Sequence, residues 1–162
     1  MAELLYDFLM RDLTPERMYA AALMDGEGWF TIEKKPPGKY NKTPRYTASL
    51  GVQMCDKEPL EFMANYFGGE IYFHKNGKDA ERRKPSFEWK LSARRAEPAI
   101  RTLLPYLKIK RKQRAAQACL DLLDIGSMSG GFKLGVPEEL IKKREACYQR
   151  VREVNRRGAI TS

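Results

Sequence analysis

The chain has a single histidine, His74, among its 162 residues. A His-Asn-His or Ser-His-Asp catalytic group therefore cannot be completed within one copy of it. Cysteine is nearly as scarce. Cys55, Cys119 and Cys147 are odd in number and far apart, with no CxxC and no Cys/His ligand spacing. This argues against structural zinc and for a reducing intracellular compartment, with organelle, bacterial and phage-infected cytoplasm all left open. No apolar run approaches the ~18–20 residues that span a bilayer, so no membrane partner is expected. The first ten residues carry Glu3 and Asp7 and no basic stretch, so a secretory leader is not expected there.

What is present is positive charge, unevenly spread. The net charge is +9, yet residues 1–30 hold two arginines against six acids, and residues 71–114 hold fourteen Lys and Arg against four acids. Such asymmetry is the footprint of a nucleic-acid surface. A hydrophobic content of 43% is too high for a disordered chain. The length fits one domain over residues 1–162, with a core over about 15–124 and a C-terminal helical extension over about 125–162.

Local patterns predict the elements. Thr14-Pro15-Glu16 starts a helix that runs to about Asp25, and Gly26 and Gly28 break it. A strand follows from Trp29 to about Lys35, stopped by Pro36-Pro37-Gly38. The segment from Arg45 to Met54 alternates, with Arg45, Thr47, Ser49 and Gln53 opposite Tyr46, Ala48, Leu50, Val52 and Met54. A helix is expected from Lys57 to Phe67, a short strand from Glu70 to His74, and an alternating strand from Ser86 to Ser92. Helices are then expected from Ala96 to Leu107, through about Asp124, and from Pro137 to about Arg156. Trp29, Phe30, Phe87 and Trp89 read as core residues, and Met54 and Met63 as core filler.

Two strand-strand-helix units in series predict an α+β fold. Its antiparallel sheet carries helices on one face and leaves a polar face open. Strand parity then nominates residues for DNA contact. From the first two strands come Thr31, Glu33, Lys35, Arg45, Thr47, Ser49 and Gln53. From the second pair and its loop come His74, Asn76, Ser86, Glu88 and Lys90. Lys39, Tyr40, Lys78, Arg82 and Arg83 would reach the flanks.

The most telling segment is Ala20-Ala21-Ala22-Leu23-Met24-Asp25-Gly26-Glu27-Gly28. It places acids at a helix end in a basic chain, a pattern suited to a metal ion facing a phosphodiester. Asp25 is expected to cap or pack at the helix junction, which leaves Glu27 as the metal-binding carboxylate. In an αββαββα order, and with Leu104-Pro105-Tyr106-Leu107-Lys108-Ile109-Lys110 following, this segment resembles the LAGLIDADG homing endonucleases of the single-motif, homodimeric type. Ala20-Ala21-Ala22 stands where the family name has Leu-Ala-Gly, Glu27 where the final Asp is usual, and Asp56-Lys57 where a Gln-Lys pair is common.

The resemblance implies a site-specific double-strand DNA endonuclease acting on a long pseudo-palindrome with Mg²⁺, for which Mn²⁺ or another divalent ion could substitute. It implies metal contacts from Glu27 and the Gly26 carbonyl, an active-site role for Lys110, and a water-positioning role for Asp56, whose other reading is a helix N-cap. Only one motif is present, so a homodimer is implied, with Ala21, Ala22, Met24 and Asp25 at its interface. An intron-encoded origin is implied too. The alternatives are a splicing cofactor that binds intron RNA, and a non-catalytic DNA-binding protein on the same fold.

Overall fold

The computed structural model describes residues 14–39, 42–74, 85–126 and 136–156. Its elements are α1 (Pro15–Gly26), β1 (Gly28–Lys35), β2 (Arg45–Met54), α2 (Glu58–Phe67), β3 (Glu70–His74), β4 (Ser86–Ser92), α3 (Ala96–Leu103), α4 (Lys110–Ile125) and α5 (Glu138–Asn155). Short 3₁₀ turns cover Ala93–Arg95 and Leu104–Tyr106. The helix expected from Ala96 to Leu107 therefore ends at Leu103, because Pro105 draws the next turn into the tighter 3₁₀ form. Among the described residues no helix is long and apolar enough to cross a membrane.

The four strands form one antiparallel sheet in the order β1-β2-β4-β3. Register fixes the faces: Phe30 lies opposite Leu50, Leu50 opposite Leu91, and Val52 opposite Trp89. These residues are buried under the helices, together with Met24, Leu60, Met63, Ile100 and Leu103. The Trp89 indole donates to the Gly68 carbonyl at 2.8 Å, satisfying its one polar atom inside the core. Pleat geometry puts the alternate residues of each strand on the opposite, polar face.

Trp29 departs from its expected place in the core. It shares a face with Thr31 and Glu33, half-buried, and its ring lies across Gly51. A Cβ on Gly51 would stand 2.5 Å from that ring, so only glycine lets the indole lie flat there. Phe30 and Trp89 are buried as expected, whereas Phe87 is half-exposed and packs on the exposed Phe73.

α5 closes the β1 edge. Cys147 and Val151 are buried against the rest of the chain. At its end Asn155 donates to the Phe30 carbonyl at 2.8 Å. Near the helix middle Glu145 pairs with Lys34 at 2.8 Å and accepts a hydrogen bond from the Tyr46 hydroxyl. An edge strand covered in this way offers less of its ladder to another chain.

Candidate nucleic-acid interface and acidic turn

α1 ends abruptly at the acidic turn. The Glu27 amide donates to the Leu23 carbonyl at 2.9 Å and closes the helix. Gly28 comes next because β1 starts directly against the helix it leaves: a Cβ there would stand 2.6 Å from the Met24 Cα. Asp25 turns back to α4, its carboxylate accepting the Lys108 amide at 2.7 Å and the Ile109 amide at 3.3 Å. These amides precede the first turn of α4, where a carboxylate also meets the positive end of the helix dipole. Asp25 is thus committed to joining two helices.

Glu27 and Gly26 are exposed, and the space where a Gly26 side chain would sit is open. Among the described residues no side chain bonds to the Glu27 carboxylate. Lys110 is exposed at the start of α4, directly after the amides that Asp25 holds, so both helix ends meet at the turn. Asp56 leaves β2 at the same end of the sheet, since Val52 already faces Gly28. It is exposed and is not a helix cap: Lys57 occupies the N-cap of α2, without a side-chain cap bond, and pairs with Glu61 at 2.9 Å.

Lys112 is not among the functional residues that the sequence nominates. It is only 6% exposed, and its ammonium donates to the Met24 and Gly28 carbonyls at 2.6 Å each. Burial pulls its pKa below the ordinary lysine value, Arg111 adds to this, and Asp25 and Glu27 oppose it. The sequence does hold a signal. The buried stripe Cys119, Ala116 and Ala115 on α4, carried back one turn, lands on Lys112.

The polar sheet face carries Thr31, Glu33, Lys35, Arg45, Thr47, Gln53, His74, Ser86, Glu88 and Lys90, in line with parity. Most of these are exposed or half-exposed and already paired with one another. Lys90 meets Glu33 at 2.8 Å, His74 meets Glu88 at 2.9 Å, and Gln53 donates to Ser86 at 2.9 Å. Lys39 is exposed on the loop after β1. Tyr40, Asn76, Lys78, Arg82 and Arg83 lie outside the described residues.

Ser49 is a correction. It sits on the polar face by parity but is fully buried, and its hydroxyl has no hydrogen-bond partner among the described residues. Register explains why. Glu33 faces Thr47 and Lys90 faces Gly51, so the ion pair between them crosses β2 directly over Ser49. Ala21 and Met24 are corrections as well. Both are buried in the chain's own core, with no surface left for a second chain. The exposed stripe of α1 is Met18, Tyr19, Ala22 and Gly26, with Asp25 half-buried beside it.

Between the polar face and α4 lies a cleft of about 510 Å³, lined in part by Gly28, Trp29, Glu33, Lys90, Arg111 and Lys112. It begins at Gly28, the first residue of β1, and runs along the sheet. Among the described residues no three His, Cys, Asp or Glu side chains gather into a metal site. Among the described residues the acidic turn itself therefore offers one carboxylate without a side-chain bond, Glu27, beside an open main-chain turn. Such a hard, sparse donor set suits Mg²⁺, which keeps several waters and takes few protein oxygens.

The sequence matches no family model and no curated protein. The fold does match solved structures. The homing endonuclease I-CvuI, in complex with its target in the presence of calcium, aligns with a TM-score of 0.65 at 14% identity, covering 90% of this chain and 86% of that one. The archaeal intron-encoded homing endonuclease I-Vdi141I, complexed with DNA, aligns with a TM-score of 0.64 at 13% identity, covering 88% and 86%. The LAGLIDADG meganuclease I-CpaMI, bound to uncleaved DNA, aligns with a TM-score of 0.56 at 19% identity. That alignment covers 83% of this chain and 49% of I-CpaMI, so this chain spans about half its length. The fold is that of the LAGLIDADG homing endonucleases.

Proposed function

We propose that the chain is a site-specific endonuclease that hydrolyses both strands of duplex DNA using divalent metal ions. The observation that carries this reading is the exposed Glu27, without a side-chain bond among the described residues, at the junction of α1 and α4 beside a polar sheet face. The solved structures that share its fold include homing endonucleases in complex with DNA.

Glu27 and the Gly26 carbonyl bind the ion, which when bound activates water and neutralises charge on the phosphate. Lys110 offsets the charge that develops on the phosphate as the bond breaks. Asp56 orders water at the same end of the sheet. The polar face lies in the major groove and sets the register of the duplex. Lys35, Arg45 and Lys39 hold its backbone.

Two strands need two carboxylates, and one chain supplies one. The active unit is a homodimer joined along the exposed α1 stripe of Met18, Tyr19 and Ala22, with one Glu27 from each copy near the dyad. Its target is a long pseudo-palindrome, its gene lies in an intron, and residues 1–162 act as one endonuclease domain.

Selection by cleavage from a randomised duplex library tests this reading. With Mg²⁺ it yields one family of pseudo-palindromic sites, and a chelator abolishes cutting while leaving binding. Glu27→Gln binds the selected duplex and leaves it intact. A chain that binds structured RNA tightly and never nicks duplex under Mg²⁺ or Mn²⁺ is instead a splicing cofactor, and the reading fails.

A further inference from the structure

We propose that Lys112 is a positioning residue that fixes the Gly26-Glu27 turn from both sides. The inference rests on the reading of Glu27 as the metal carboxylate. Its geometric basis is a clamp: one ammonium bonds the Met24 carbonyl before the turn and the Gly28 carbonyl after it, at 2.6 Å each.

Four further observations favour a positioning role over simple stapling of α4 to the core. α1 has no basic residue in its last turn, so the carbonyls at its negative end have no local cation. Lys112 supplies one from 88 residues away in sequence. It lies on a stripe whose other members are Ala115, Ala116 and Cys119, where an apolar side chain would avoid the desolvation of a charge. Asp25 fixes the same helix end by accepting α4 amides, so α1 and α4 cap each other reciprocally. Finally, the Glu27 carboxylate has no side-chain partner of its own among the described residues. Its direction is set by the backbone, and the backbone on either side of it is held by Lys112.

A group that orients a metal-binding residue without touching the metal changes ion affinity more than it changes the reaction's other steps. The test compares Lys112→Met and Lys112→Arg with the unaltered protein, using the duplex recovered by cleavage selection. Calcium binding to each protein–duplex complex is measured by calorimetry, and the Mg²⁺ dependence of cleavage separately. Lys112→Met weakens calcium binding and raises half-saturating Mg²⁺ by about tenfold, while duplex affinity in chelator changes by less than about twofold. Lys112→Arg recovers part of the loss, since its planar fork cannot reproduce an ammonium seated on two carbonyls.

If Lys112→Met fails to fold, Lys112→Arg and a measurement on the unaltered protein still decide the matter. The Lys112 ammonium resonance is protected from exchange with water and shifts when calcium is added to the complex. Unchanged calcium affinity in the folded variants, or an ammonium signal indifferent to calcium, overturns the proposal. Glu27→Gln run alongside keeps the two readings apart. If it still binds calcium and cuts, the metal-carboxylate reading is wrong. If it loses both while Lys112→Met matches the unaltered protein, only the positioning role falls.

Discussion

Lys90 on β4 and Glu33 on β1 are ion-paired at 2.8 Å across the full width of β2, and the Lys90 ammonium also sits 5.6 Å from the centre of the Trp29 ring. The polar sheet face is therefore not a bare cationic plate. Lys90, Glu33, His74 and Glu88 are paired with one another, and a polyanion that docked on them would have to exchange these pairs for contacts of its own. If the chain binds duplex as proposed, these acids would serve discrimination, because a wrong sequence that does not replace them leaves carboxylates facing phosphate or an acceptor edge.

Glu33→Gln frees Lys90 for phosphate. Binding to random-sequence duplex tightens by roughly threefold, in keeping with the ~0.2–1 kcal/mol carried by an exposed ion pair. The slope of log affinity against log salt steepens by about one phosphate contact. Anisotropy titrations over a salt series measure both. A variant with unchanged affinity and slope would mean that Lys90 never reaches the backbone.

Ser49 lies beneath that ion pair with its hydroxyl unbonded. A buried hydroxyl without a partner is a cost that alanine removes. Ser49→Ala leaves stability unchanged or raises it by up to ~1 kcal/mol in urea denaturation, and it cuts and binds its site as before. A marked loss of site recognition would show that the hydroxyl is uncovered when the Glu33–Lys90 pair opens on DNA.

The elements are largely legible in the sequence because the signals for them are local. The strands Arg45–Met54, Glu70–His74 and Ser86–Ser92 stand as read, since period-2 alternation and flanking turns mark them. Departures arise where a neighbour in space overrides the local rule. Residue type assigns Trp29 to the core, although its parity with Thr31 places it on the polar face; glycine at position 51 gives its ring a place to lie. Ser49 obeys parity but is covered by a pair whose members are far apart in sequence. Lys112 is hidden in the run Lys108-Ile109-Lys110-Arg111-Lys112, which reads as uniformly solvated until the helix start at Lys110 fixes which lysine points inward.

The polar cluster that pins α5 to the sheet predicts an acid-sensitive helix. Its hydrogen bonds with Lys34, and then with Tyr46, lower the Glu145 pKa to about 2. The folded value lies below the unfolded one, so this carboxylate adds stability above the ordinary glutamate range. That contribution fades as pH falls from ~4.5 toward 2. Urea titrations at stepped pH show this loss in the unaltered protein. Glu145→Gln flattens the dependence over the same interval and lowers stability at pH 7. Tyr46, whose pKa burial raises, gives the alkaline counterpart: folding resists its ionisation, so stability declines as pH climbs past ~10. Equal acid sensitivity in Glu145→Gln and the unaltered chain would place the helix anchor elsewhere.

Neighbouring alanines on α1 separate folding from assembly. Ala21 is 1% exposed, packed in the chain's own core, whereas Ala22 lies on the exposed stripe with Met18 at 53% and Tyr19 at 45% exposure. A glutamate at position 21 would be buried without a partner, and Ala21→Glu costs roughly 3–5 kcal/mol, a large share of the ~5–15 kcal/mol stability of an ordinary domain. A glutamate at position 22 enters solvent in the single chain, so Ala22→Glu changes monomer stability by no more than ~0.5 kcal/mol. In a two-fold pairing along this stripe, however, two such carboxylates would be forced together and desolvated. Ala22→Glu should therefore remain folded by circular dichroism, run as a monomer in light scattering, and lose double-strand cleavage. A folded Ala22→Glu that still dimerises and cuts both strands would move the interface away from α1, and with it the pairing of the two Glu27 carboxylates.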